Sequence, residues 1–195
     1  MSLPVEWLIA VAIGIALAAA TGFRVFLPLL VAGLAAHWGA LPLSDGFRWL
    51  ATPEALIALA SASVVETVAY YIPGVDHLLD LLAGPAAIVA GVVASASVMV
   101  DMPPGIVWPV AIIGGGGMAA VTKLSSAVLR AKTGIATLGA GNPIVSTGET
   151  MGAIVIALAA VFVPVVCLIV LVVTLVWVRR RRRSRVAVAA GPFNR

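Results

Sequence analysis

Charge is what this sequence has least of. Asp, Glu, Lys and Arg make up 10% of its 195 residues, whereas water-soluble domains carry about 25%. A soluble fold of this size is excluded. A single cysteine, Cys167, rules out both an intrachain disulfide and a cysteine metal cluster. No zinc-protease helix, histidine pair or serine elbow is present, so hydrolytic enzyme classes fall away and no cofactor is implied. Lys and Arg are also missing before Arg24, where the flank carries Glu6 instead. A cleaved signal peptide needs a basic n-region, so the first apolar stretch reads as an uncleaved span.

What remains is apolar. Hydrophobic residues form 62% of the chain and the mean hydropathy is +1.15. A spanning helix needs about 20 such residues. The runs between charges predict an all-α integral membrane protein with about five transmembrane helices, over 4–23, 53–72, 82–100, 104–124 and 149–178. Two further segments, 25–39 and 133–148, are too short or too rich in Gly and Pro to be good spans. They read as half-helices or re-entrant dips, tolerable where protein covers the backbone. One transmembrane domain, 1–178, is expected, with candidate halves 4–80 and 104–178 joined by span 82–100.

Seven of the basic residues fall in the tail 179–195, leaving five basic against eight acidic residues before it. The basic excess is therefore a tail property, not a nucleic-acid-binding surface. Basic residues directly after a span mark the cytoplasmic side. The expectation is a multi-pass protein of the cell (inner) membrane with a cytoplasmic C-terminus and, on a five-span count, an outer N-terminus. The tail should attract anionic lipid headgroups at about 1 kcal/mol per basic residue.

An internal pattern stands out. Ser63-Val-Val-Glu66-Thr67 recurs as Ser146-Thr-Gly-Glu149-Thr150. Upstream of each, an apolar run ends in a threonine and a base, at Thr21-Gly22-Phe23-Arg24 and at Thr122-Lys123. If the two short segments dip and return, the halves form an inverted-topology repeat with a site where they meet. If the dips cross, the halves run parallel. Small residues at four-residue spacing (Gly14, Ala18, Gly22; Ala58, Ala62; Ala87, Gly91, Ser95) suit close helix approach within a monomer as readily as a dimer interface.

The strings Thr21-Gly22-Phe23-Arg24-Val25-Phe26-Leu27-Pro28, Glu66 and Ile72-Pro73-Gly74-Val75-Asp76, followed by Lys123, Arg130, Pro143 and Ser146-x-x-Glu149, resemble a bacterial membrane family known as domain of unknown function 4126. The similarity covers about residues 5–160. It supplies no activity, but it implies that these polar positions belong together.

Glu66 is the most informative of them. A carboxylate about 13 residues into a span costs a few kcal/mol on insertion scales, so it must be neutralised or paired. Arg24, always charged and able to hold a carboxylate by two hydrogen bonds, is the expected partner. Lys123 and Glu149 form the matching set, with Arg130 as an alternative base; Ser63 and Ser146 complete the candidate site. Asp76, His77 and Asp80 share one helical turn but offer few converging ligands for a metal. Glycines 114–117 read either as an unwound stretch or as a packing surface. Two functions fit: a transporter or channel for a small solute or ion built on buried Arg/Glu pairs, or a membrane scaffold in which the same pairs only specify the bundle.

Overall fold

The computed structural model describes residues 5–72, 75–137 and 141–163; the side chains of 76–78 and 81 are outside it. The basic tail, Cys167, Trp177 and half of the last expected span also lie outside the described residues. Among these, seven α-helices and no strand are present. They are α1 (Val5–Thr21), α2 (Leu27–His37), α3 (Pro53–Ala69), α4 (Val75–Ser97), α5 (Pro104–Val110), α6 (Gly117–Thr137) and α7 (Asn142–Phe162). A 3-10 helix (Asp45–Ala51) precedes α3, and a π-helical turn (Ala111–Gly116) joins α5 to α6.

Length and apolarity mark two of these as able to cross a bilayer: the continuous 34-residue helix Pro104–Thr137, and α7. A third qualifies if the 3-10 helix and α3, bent by 66° at their junction, form one span. Val5–Thr21, Leu27–His37 and Leu82–Ser97 are shorter apolar helices. The outer surface is that of a membrane protein. Ile57, Val64, Val65 and Val68 on α3, and Leu124, Val128, Leu129 and Ile135 on α6, are exposed, while Arg24, Lys123, Arg130, Glu66 and Glu149 are buried.

Close backbone contacts fix the helix directions. A Cβ on Gly14 would sit 2.9 Å from the Ser95 carbonyl, and one on Gly91 would lie 3.2 Å from the Thr21 hydroxyl, so α1 and α4 are antiparallel. Ile15 meets Gly114, and Gly22 meets Thr122 and Ala119, so α1 and the helix 104–137 run parallel. Gly33 packs on Leu50 and Leu56, which sets α2 against α3. The glycine and alanine stripes of α1 and α4 therefore serve packing within the monomer, as their spacing allowed. Ala58 of α3 differs: it is exposed.

These directions correct two expectations. Segment 25–39 does not dip back to its own side, because α2 returns the chain to the end where α1 begins: Leu41 and Pro42 share a cavity wall with Glu6 and Trp7. Residues 133–148 are not a re-entrant segment either. They hold the end of α6, a break whose residues 138–140 are outside the description, and the start of α7. With α1 and 104–137 parallel, the halves are not inverted. Glu66 lies late on α3 and Glu149 early on α7, two helices of opposite direction.

Polarity separates along the bundle. The apolar core gathers Ile13, Leu17, Leu29, Leu43, Leu50, Val98 and Val161 toward one end. Trp38, Trp49 and Trp108 are exposed there, as an interfacial aromatic belt requires. The buried charges occupy the other half.

Candidate functional site

α1 ends at Thr21 and α2 starts at Leu27, leaving Arg24 in a short non-helical joint. Early helix N–H groups lack partners within the helix, and in hydrocarbon each one left unsatisfied costs several kcal/mol. Pro28 removes one donor from α2's first turn. Glu66, reaching from α3, accepts the N–H groups of Val25 at 2.8 Å and Phe26 at 3.2 Å. Its carboxylate also faces the positive end of the α2 dipole. Glu66 thus caps a half-helix and makes no ion pair with Arg24, contrary to the pairing expected from sequence. Ser63 is likewise local, donating to the Leu59 carbonyl of its own helix at 2.7 Å.

Arg24 turns to α7 instead. It is fully buried. Its Nε donates to the Thr150 hydroxyl at 2.9 Å, and its Nη2 donates to the Ser146 hydroxyl at 2.6 Å and carbonyl at 3.0 Å. Nη1 lies 3.9 Å from Glu149 Oε2. Ser146, Glu149 and Thr150 share one helix face by their three- and four-residue spacing. That is why the Ser-x-x-Glu-Thr string of the second half acts as a unit.

The helix 104–137 supplies the other two cations. Ala119, Lys123, Ser126 and Arg130 form one buried stripe, again at helical spacing. Arg130 Nη2 pairs with Glu149 Oε2, and the Ser126 hydroxyl donates to Glu149 Oε1. Lys123 Nζ donates to Asp80 Oδ1 at 2.9 Å and to the Tyr70 hydroxyl at 3.1 Å. Arg130 Nε stands 3.6 Å from Asp80 Oδ2. The guanidinium carbons of Arg24 and Arg130 lie 4.2 and 4.4 Å from the Tyr70 ring centre, within cation–π range.

The structure therefore assembles Arg24, Lys123, Arg130, Glu149, Asp80 and Tyr70 into one network, with Glu66 at its margin. Ser146 belongs to it and Ser63 does not. Sequence inspection missed Asp80, Tyr70 and Ser126 as members. Two signals were available: the stripe Ala119-Lys123-Ser126-Arg130, and Tyr70 four residues after Glu66 on the same face. Asp80 had no such signal, because its cationic partners come from a helix more than forty residues away.

Two cavities border the network. One of about 370 Å³ lies between α4, α6 and α7, lined by Asp80, Ala127, Arg130, Ala131, Gly134 and Asn142, among others. Another of about 310 Å³ lies between the α2 start, α3 and α4; it is almost wholly apolar and reaches Glu66 and Tyr70. Among the described residues no cluster of His, Cys, Asp and Glu could hold a metal ion.

The model of the family described as Domain of unknown function (DUF4126) matches residues 11–183. The chain belongs to that family. No curated protein and no solved structure matches it.

Proposed function

We propose that this DUF4126 member is a multi-pass protein of the cell membrane that carries a small solute or ion, with Arg24, Lys123, Arg130, Asp80 and Glu149 forming its central site. The supporting observation is that three cations and two acids meet in the interior beside a cavity of about 370 Å³. Buried ionisable groups in a membrane bundle mark a solute or ion path by default. Their partners are shared: Glu149 faces two guanidiniums and Asp80 faces two cations. Shared partners allow the helices to exchange pairings without stranding a charge. The reading involves no covalent chemistry, and it keeps a cytoplasmic C-terminus facing anionic headgroups.

Labelling tests the reading without knowing the solute. A Cys167→Ala protein carrying Ala127→Cys, on the cavity wall, is treated with a membrane-impermeant maleimide from each side of oriented vesicles. A transporter alternates, so labelling from both sides is expected. Labelling from one side alone favours the scaffold reading, which Glu66's service to backbone N–H groups also fits.

A further inference from the structure

Hydrogen-bond supply in the charge cluster is unbalanced, and the imbalance has a sign. Every carboxylate oxygen has a donor facing it. Both oxygens of Glu66 accept backbone N–H groups. Glu149 Oε1 accepts from Ser126 and Oε2 from Arg130. Asp80 Oδ1 accepts from Lys123 and Tyr70, and Oδ2 faces Arg130 Nε. On the donor side, Arg24 Nη1, Arg130 Nε and Arg130 Nη1 are buried with no hydrogen-bond acceptor. Buried unsatisfied polar groups are rare and call for a cause.

The charges lean the same way. Three cations confront Glu149 and Asp80, while Glu66 is offset by the α2 N-terminus, worth roughly half a positive charge. A cation entering this cluster would meet carboxylate oxygens that donors already face and would add to the positive excess. An oxyanion would bring acceptors to stranded guanidinium donors, which suit carboxylate and phosphate by their planar fork. Arg130 and Asp80 also line the cavity of about 370 Å³, and that space suits a small ligand.

We propose that this cavity binds a small oxyanion, a carboxylate or a phosphate, on the unpaired N–H groups of Arg130, with Arg24 Nη1 behind it across Glu149. The proposal deepens the transport reading by naming the ligand class of the same site. The phosphate can come from solution or from a lipid headgroup, since both present the same oxygens.

The test uses the purified full chain in neutral detergent. Its unfolding midpoint is followed by tryptophan fluorescence against sodium phosphate, sodium acetate and sodium chloride at equal sodium. Phosphate or acetate should raise the midpoint saturably, and chloride should not. Arg130→Gln should weaken the apparent affinity about tenfold or more. A second variant guards against misfolding. A Cβ on Gly134 meets only Asn142 Oδ1, at an ordinary 3.6 Å, so Gly134→Leu should fold normally, fill the cavity and lose the anion response. In nanodiscs, a shift caused by phosphatidic acid but not by phosphate would support the same donors with a lipid source. No anion response, an equal response in Gly134→Leu, or a response that tracks sodium would overturn the proposal. Binding without flux would defeat only the transport reading, and cation flux without an anion response would defeat only this one.

Discussion

Arg24 and Ser146, 122 positions apart in sequence, are joined twice: one guanidinium nitrogen donates to both the hydroxyl and the carbonyl of the serine. The link fastens the joint between α1 and α2 to the first turns of α7. Ser146→Ala removes the hydroxyl but keeps the carbonyl. Hydrogen bonds to charged groups contribute about 1.5–3 kcal/mol, so the variant should unfold with that loss in a detergent titration. An unchanged unfolding curve would show that the carbonyl alone suffices.

Glu66 should behave as a cap and not as half of an ion pair. Glu66→Ala strands the Val25 and Phe26 N–H groups, at about 1–3 kcal/mol each. Glu66→Gln keeps one acceptor oxygen and should lose roughly half as much. Adding Arg24→Met to Glu66→Ala should bring no recovery, because the two do not pair. Recovery in the double variant, measured by equilibrium unfolding, would restore the ion-pair account.

Arg130 and Glu149 should couple strongly. Breaking a buried pair from one side costs about 3–5 kcal/mol, through the charge left behind. Arg130→Met and Glu149→Gln should each be destabilising, and together they should cost clearly less than their sum. Additive losses in the cycle would mean that the contact is not energetically real.

Packing at the π-helical turn is testable with a methyl group. A Cβ on Gly115 would come within 2.5 Å of the Ser95 Cβ and 2.7 Å of the Gly91 carbonyl. Gly115→Ala should cost about 1–3 kcal/mol by overpacking, partly relieved by Ser95→Gly. Gly117 has open space around its Cβ position, so Gly117→Ala should be neutral or up to about 1 kcal/mol stabilising. Equal thermal shifts for the two alanine variants would contradict this packing.

The tail prediction concerns orientation. A green fluorescent protein fused after Arg195 should fluoresce, and an alkaline phosphatase fused there should be inactive, since basic residues after a span stay inside. Deleting residues 179–195 should disturb orientation before it disturbs stability. A phosphatase-positive C-terminus would reverse the assignment.

Membrane class and family were legible because composition and motif strings are local properties of the chain. The expected segment 25–39 overran α2 by about two residues at each end, and proline and glycine content flagged 133–148 as irregular. The close packing of Thr133 and Thr137 against Gly141 is something no pattern of apolar runs encodes. That Arg24, Glu66, Lys123, Arg130 and Glu149 are buried charges was also visible, since each is anomalous in an apolar chain; that Asp80 joins them was not. Nor was their pairing. Arg24 and Glu66 looked like partners because both are deeply placed in adjacent segments, but the backbone of α2 competes for the carboxylate. Only its geometry shows that the backbone wins.

The bond from Arg24 to Thr150 also has a consequence in time. The two residues are 126 positions apart, and at about 5–20 residues per second a ribosome takes roughly 6–25 s to travel between them. Throughout that interval the first hairpin holds a guanidinium whose acceptors have not been synthesised. The nascent chain must keep Arg24 wetted, in the translocon or at the bilayer edge, until α7 arrives. The last described helix therefore acts as the latch of biogenesis, and a stop codon before Ser146 should leave a product whose Arg24 has lost its acceptors Ser146 and Thr150.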